Sequence, residues 1–156
     1  MKNDCKSHVK AGGFTLIELL IALVIVALLA SQAWPAFQQH VIRVRRHEAQ
    51  SALLRLMQQE ERYFTQANTY IEFSSNSTGA QERQFRWWSG GDKTTSGYEI
   101  EAKACEGELI SQCVRLIATP GTANVDQTFH DAECAQLTLA STGLRLASGP
   151  GLRCWP

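Results

Sequence analysis

The chain has 156 residues, and its fifteen Lys and Arg balance fifteen Asp and Glu, so the formal net charge is zero. This length suffices for one domain core and is too short for two, which excludes a multidomain enzyme. Apolar residues make up 44% of the chain and charged residues 19%, which is typical of a folded protein and excludes a disordered chain or a polybasic nucleic-acid-binding tail.

The first strong feature is an apolar run from Phe14 to Ala33, in which nineteen of twenty residues carry no charge. Twenty residues of helix span the roughly 30 Å hydrocarbon core of a bilayer, so the run predicts a transmembrane helix. The exception is Glu18. An acid inside a membrane segment is functional by default and needs a partner. The alternative is that Glu18, near the polar boundary, only reaches back to headgroup water.

A polar leader of residues 1–13 precedes the run, contains Lys2, Lys6 and Lys10, and ends on Gly12-Gly13. It has the character of a removable segment. A secretory signal peptide would instead be cut after the apolar run, at the small residues near Ala30, and this is the alternative reading.

Charge does not orient the apolar run, because the three lysines before it are matched by Arg43, Arg45 and Arg46 after it. The cysteines do carry information. Four of the five lie beyond the run, an even number that suits an oxidising compartment. We therefore expect the C-terminal part of the chain outside the cytoplasm.

The segment Lys10-Ala11-Gly12-Gly13-Phe14-Thr15-Leu16-Ile17-Glu18-Leu19 resembles the prepilin processing motif of type IV pilins and their relatives. The resemblance implies that a prepilin peptidase cuts between Gly13 and Phe14 and methylates the new amine of Phe14. It further implies that Glu18 pairs with the Phe14 amine of an adjacent subunit during assembly. Residues 14–34 are then retained as a membrane anchor and later as the filament core.

Beyond the apolar run, Pro35 is expected to kink the helix by removing one backbone hydrogen bond. The helix is expected to continue to Ala67 as an amphipathic half, residues 35–67. Its apolar residues follow one face of a 3.6-residue period. They are Ile42, Ala49, Leu53, Leu56, Tyr63, Phe64 and Ala67.

Residues 68–156 are expected to form a β-sheet head after a loop-rich connection of about residues 68–95. Four strands are predicted, at 98–104, 114–119, 135–139 and 144–146, with Gly143 in the last turn at a position that favours positive φ. An antiparallel meander packed on the amphipathic half of the helix buries the apolar face of the sheet against the apolar face of the helix. The fold class is α+β, and the resemblance implies the type IV pilin fold.

The four cysteines of the head allow three pairings. We expect Cys105 with Cys113, which bracket the first strand turn, and Cys134 with Cys154, which would tie the third strand to the tail. Pilins staple their tails in the same way. The spacing matches no zinc knuckle.

Three further features each have two readings. Glu60 lies in the middle of the apolar stripe and is expected to hold backbone N–H groups of the loop after Ala67, the alternative being a position at the domain margin. Arg43, Arg45 and Arg46 are expected to be interfacial anchors or partners of another subunit rather than a phosphate site. Of Trp87 and Trp88, one is expected in the core and the other facing out.

No arrangement of residues typical of catalysis occurs, so we expect no enzyme, no cofactor and no metal site. His40 and His47 share a helix face without an accompanying acid or thiol at metal-binding spacing. The remaining signals concern assembly rather than chemistry.

The segments Gln59-Glu60-Glu61-Arg62-Tyr63-Phe64 and Asp131-Ala132-Glu133-Cys134, with the terminal Cys154-Trp155, resemble minor pilins of the PilE type. The resemblance implies a minor subunit of a type IV pilus, a filament that serves motility, adhesion or DNA uptake. Its implied partners are other pilin subunits, the prepilin peptidase, the inner-membrane assembly machinery and, before assembly, membrane lipid. The implied location is the bacterial inner membrane with a periplasmic head, then the extracellular pilus.

Three alternatives remain open. A type II secretion pseudopilin would share the first forty residues, and a non-pilin single-pass membrane protein would keep its leader. A DNA-binding uptake pilin is disfavoured because residues 68–156 contain seven basic and ten acidic side chains. A local basic stripe would still be compatible with that last reading.

Overall fold

A computed structural model describes residues 15–156, apart from the side chains of residues 33 and 35. One long helix, α1, runs from Leu16 to Ala67, and its end coincides with the end expected from the sequence. The chain divides into two compact units, one ending at Gln38 and the other running from Gln39 to Pro156. The backbone at position 35 is helical, and the kink expected there stays a prediction.

Four strands form one antiparallel sheet in the order β1-β2-β3-β4, which confirms the expected meander. Their bounds are Tyr98–Ala104 for β1, Val114–Pro120 for β2, Leu137–Ala140 for β3 and Arg145–Ala147 for β4. Along β1 and β2 buried apolar residues alternate with more exposed ones, so one face of the sheet is available for packing.

Two strand starts differ from the expectation. The third strand was expected from Ala135, but Ala135 has φ +50°, a left-handed conformation that no strand accommodates, so β3 begins at Leu137. The last strand begins at Arg145, one residue later than expected, and the Leu144 carbonyl accepts the Ala140 N–H in the turn before it. Gly143 has φ +85° in that turn, as expected.

The connection from residue 68 to residue 97 contains one short 3₁₀ helix, Glu82–Gln84, within the stretch read as loop. Single bridges join Phe73 to Ala102 and Trp88 to Glu99. These bridges cover the free edge of β1, which would otherwise present unpaired backbone groups to other chains.

The core lies between the sheet and the amphipathic half of α1. Leu53 on the helix and Ile100, Leu116 and Leu137 on three strands are fully buried in one apolar cluster. The expected apolar stripe of the helix is confirmed except at Ala67, which is exposed. The sheet therefore packs on the second half of α1.

Both expected cysteine pairs form disulfides in the structure, Cys105 with Cys113 and Cys134 with Cys154. The second links the segment before β3 to the C-terminal tail, twenty residues later. In the chain-entropy model, a disulfide that closes a loop of that size raises the free energy of unfolding by roughly 3 kcal/mol.

Substitution of Leu53 tests the packing of the head on α1. Leu53→Ala should lower the free energy of unfolding by about 2–5 kcal/mol, because it leaves a cavity at a fully buried position. Urea unfolding of the full chain in detergent, followed by tryptophan fluorescence, measures this. The neighbouring Leu54→Ala is the matched control: Leu54 is 41% exposed, so its loss should be much smaller, and equal losses would contradict this packing.

Candidate functional site

The N-terminal part of α1 carries an apolar surface that the rest of the described chain leaves uncovered. Thirteen large apolar side chains between Leu16 and Phe37 are 48–78% exposed. The segment has a mean hydropathy of 2.5 in its most apolar window and is long enough to cross a membrane. Apolar surface of this extent marks a site that binds a membrane or other protein.

Glu18 lies on this apolar segment. Its backbone N–H donates to Thr15 Oγ1 at 3.3 Å, so Thr15 caps the start of α1. Its carboxylate forms no hydrogen bond or ion pair with any residue from 15 to 156. Gly13 and Phe14, where cleavage, methylation and pairing are expected, lie outside the described residues.

A buried ion cluster fastens α1 to the segment before β3. Arg46 is 5% exposed and donates from Nε and Nη2 to the two carboxylate oxygens of Asp131, both at 2.8 Å. Arg46 Nη2 also donates to Glu133 Oε2 at 2.8 Å. Bidentate Arg–carboxylate pairs are among the strongest hydrogen bonds in proteins.

Asp131 accepts two more hydrogen bonds, from the Tyr98 hydroxyl at 2.5 Å and from the Cys134 N–H at 3.1 Å. Burial alone raises the pKa of this carboxyl, but the bonds from Arg46, Tyr98 and Cys134 outweigh burial and hold the pKa below its ordinary value. Burial and the Asp131 charge raise the pKa of Tyr98. The cluster is therefore an ionised, fully bonded clamp between helix, sheet and disulfide.

The prediction that Arg43, Arg45 and Arg46 are interfacial anchors or partners of another subunit is wrong for two of them, which form ion pairs within the chain. Arg46 is in the buried clamp, and Arg45 pairs with Asp126 at 2.5 Å and stacks over Phe129. Only Arg43 stays exposed, with its Nε donating to the Gln39 carbonyl. The sequence carried one signal of this: Arg46 and Gln50 fall on the buried helix face, at helical spacing from Leu53.

The C-terminal tail is also tied to α1. Gln50 Nε2 donates to the Cys154 carbonyl at 2.7 Å, and the Trp155 indole donates to the Leu146 carbonyl at 2.9 Å on β4. With the Cys134–Cys154 disulfide, these bonds hold the last residues of the chain against the helix and the sheet edge.

Glu60 has the role expected from the sequence. It is fully buried, and its Oε2 accepts the Ile71 N–H at 3.1 Å, in the loop after α1. Its Oε1 has no partner among the described residues. Burial raises the pKa of Glu60 from 4.5 to about 7, against the lowering effect of the Ile71 bond.

Next to the middle of α1 there is a cleft of about 510 Å³, lined by Arg55, Arg86 and Glu48 among others, so its net charge is +1. Trp87 packs against the core, as expected for one of the tryptophan pair, and Trp88 lies beside the cleft with the Arg86 guanidinium 5.7 Å from its ring. Neither arginine has a carboxylate within 4 Å among residues 15–156. The cleft can thus accept an anionic group.

In the described part of the chain, no group of three or more His, Cys, Asp or Glu side chains is placed to hold a metal ion. His47 instead bonds Gln50 Oε1 through Nδ1 at 2.9 Å.

Comparison with protein families gives two matches. Residues 35–138 match the family described as "Type IV minor pilin ComP, DNA uptake sequence receptor", and residues 9–31 match the prokaryotic N-terminal methylation motif. The first match covers about two thirds of the chain.

Two individual proteins are also similar to the chain. The type IV major pilin protein PilA of Myxococcus xanthus (strain DK1622) is 32% identical over 97 residues, which are 62% of this chain and 40% of that protein. The chain thus spans about two fifths of the length of this relative. A solved type IV pilin from Shewanella oneidensis aligns with 74% of this chain and 98% of its own, at 21% identity and a TM-score of 0.46.

The buried acid predicts an unusual pH dependence. A folded-state pKa of about 7 against an unfolded value of 4.5 means that the folded head holds the Glu60 proton more tightly, so the free energy of unfolding should fall as pH rises from about 4.5 to 7. The contribution is on the order of 3 kcal/mol.

Glu60→Gln keeps an acceptor for Ile71 without a titrating group, and should remove that slope in urea unfolding measured between pH 4.5 and 8. Glu48→Gln, at an exposed position of the same helix, is the control and should keep the wild-type slope. Parallel pH curves for wild type and Glu60→Gln would show that Glu60 does not titrate in this range.

Proposed function

Since the chain belongs to the type IV pilin family, in the group described as "Type IV minor pilin ComP, DNA uptake sequence receptor", we propose that it is a minor subunit of a type IV pilus. It is built into the filament or begins it. The observation that carries the proposal is the uncovered apolar surface from Leu16 to Phe37, joined by one helix to a disulfide-bonded head. A subunit with such a surface needs a membrane and then other subunits to cover it.

Processing follows the motif at the N-terminus. A prepilin peptidase cuts between Gly13 and Phe14 and methylates Phe14, which leaves a chain of 143 residues. The match of residues 9–31 to the methylation motif supports this step. The apolar segment is retained, unlike that of a secretory signal peptide.

Before assembly, the subunit lies in the bacterial inner membrane with residues 14–34 as a single span and its head in the periplasm. Two disulfides in the head favour this orientation, because disulfides persist in oxidising compartments. The inner-membrane assembly machinery then moves the subunit into the pilus.

Assembly uses Glu18. A carboxylate on an apolar helix surface is costly unless a cation neutralises it, and the new Phe14 amine of an adjacent subunit is such a cation. Because Glu18 has no partner within the described chain, its charge is available for this pairing. The pair fixes the axial register of neighbouring helices.

Removal of the charge tests the pairing. Glu18→Gln should leave membrane insertion and processing intact and lower incorporation into sheared filaments at least tenfold, measured as filament-to-membrane ratio by quantitative mass spectrometry. Glu106→Gln, an exposed head substitution, should incorporate normally. Normal incorporation of Glu18→Gln would contradict the pairing.

A type II secretion pseudopilin is the nearest alternative, since it would share the N-terminal segment. The two readings differ in where the processed chain accumulates. A pilus subunit is recovered from sheared surface filaments, whereas a pseudopilin stays with the membrane.

A second candidate function is binding of DNA during uptake. The description of the matched family names a DNA uptake sequence receptor, and the cleft with Arg55 and Arg86 offers two cations without carboxylate partners beside an aromatic ring. Cations of this kind bind the backbone phosphates of duplex DNA, whereas an aromatic ring stacks on a base only where the strands are separated. Against it, the net charge of residues 68–156 is −3, so the contact would be local.

Binding of duplex DNA to the purified full chain, measured by fluorescence anisotropy across a salt series, tests this candidate. Arg55→Gln and Arg86→Gln should each weaken binding and reduce the slope of log K against log salt by about one phosphate contact. Arg83→Gln, which loses an exposed arginine bonded to the Thr78 carbonyl, is the control. Equal effects of all three substitutions would rule out this cleft as the DNA contact.

A further inference from the structure

A second pocket that contains arginines has a volume of about 550 Å³. It lies between residues 39–46 of α1, the segment before β3 and the C-terminal tail. Helix α1 contributes Gln39, Ile42 and Arg43 to its lining. The segment before β3 contributes His130, and the tail contributes Arg153. We call it the Arg43–Arg153 pocket. Its two naming arginines are 110 residues apart in sequence, so only the fold brings them together.

The free positive charge of the pocket comes from those two residues. Arg46, Asp131 and Glu133 also line it, and the two carboxylates bind the Arg46 guanidinium. Three arginines and two acids give the lining a net charge of +1. Arg43 and Arg153 are exposed, and neither has a carboxylate within 4 Å among the described residues. An anion that enters the pocket can therefore bind two guanidinium groups that form no ion pair, although the exposed Glu133 carboxylate shares the lining.

The orientation of Arg43 is set by its own helix. Its Nε donates to the Gln39 carbonyl at 3.4 Å, which turns the side chain back by one turn toward the N-terminal end of α1. Ile42 adds an apolar contact beside it. A ligand with an anionic group next to an apolar part fits this lining.

The sequence position indicates which ligand that is. In sequence, Gln39 follows Trp34, the last residue of the expected membrane span, by only five residues. Trp34 and Phe37 are 67% and 62% exposed, as aromatic residues at a membrane interface are.

We propose that the Arg43–Arg153 pocket binds the phosphate of an anionic phospholipid headgroup while the subunit is held in the membrane. Arg43 and Arg153 donate to the phosphate oxygens, and Ile42 contacts the glycerol end of the lipid. This rests on the proposed function only in that the apolar segment lies in a bilayer. Phosphate binding in this pocket favours contact between the head and anionic lipid before assembly.

Lipid binding to the full chain in neutral detergent tests the proposal. Phosphatidylglycerol and phosphatidylcholine with the same acyl chains are titrated separately, and bound lipid is counted by native mass spectrometry. Wild type should prefer phosphatidylglycerol. Arg43→Gln and Arg153→Gln should each lower its apparent affinity about fivefold, the usual effect of one basic residue near an anionic membrane surface, and the double variant should lose the preference.

Arg62→Gln is the matched control, because Arg62 is exposed on the same helix and makes the same bond, from Nε to the carbonyl of Gln58 four residues back. It should keep wild-type preference. The leader lysines are common to all variants and cannot account for a difference between them. Unchanged urea midpoints of the variants confirm that the head is folded.

Equal binding of the two lipids to wild type, or equal losses in Arg43→Gln, Arg153→Gln and Arg62→Gln, would overturn the proposal. Inorganic phosphate is the second probe, and binding of phosphate as tightly as phosphatidylglycerol would overturn the assignment to a lipid. Failure here leaves filament incorporation unaffected, whereas failure of the proposed function appears as absence of the processed chain from filaments.

Discussion

The apolar surface of α1 between Leu16 and Phe37 is the constraint on which the rest of the molecule depends. Thirteen large apolar side chains there have no cover from the described chain, so the subunit is incomplete in water. Only lipid or other apolar helices can bury such a surface. Membership of the type IV pilin family implies that the apolar segment passes from the bilayer to contacts with other subunits in a filament.

The second half of the same helix is built for the opposite purpose. Leu53 and its neighbours pack on the sheet, while Arg46 and Gln50 on the same buried face bond the Asp131 segment and the tail. In the ion clamp, the Asp131 carboxylate accepts hydrogen bonds from Arg46, the Tyr98 hydroxyl and the Cys134 N–H. A buried ion pair satisfied in this way costs stability to break and holds one arrangement of helix, sheet and disulfide.

Much of this could be predicted from the sequence, because local patterns carry it. The end of α1, the alternation along β1, the turn at Gly143 and the bond from Glu60 to the next loop all follow from periodicity, turn residues or a polar residue on an apolar face. The start of β3 could not be predicted, since the left-handed Ala135 leaves no mark in the sequence.

Contacts between residues that are distant in sequence could not be predicted either. Arg46 and Asp131 are 85 residues apart, and no local signal pairs them, although helical spacing from Leu53 places Arg46 on the buried face of α1. The same holds for Arg43 and Arg153. Electrostatic partners of this kind are decided by the fold, so a run of arginines after a membrane segment cannot by itself be assigned to lipid, to another subunit or to the interior.

The central claim is that the apolar surface is kept, starting at Phe14, and ends in a filament. Mass analysis of the intact protein and its N-terminal peptide, recovered separately from sheared surface filaments and from membranes, tests it most directly. The account predicts a methylated Phe14 start in both fractions and low stoichiometry relative to the major subunit in filaments. A chain that still begins at Met1, or one cut after the apolar segment, would contradict it.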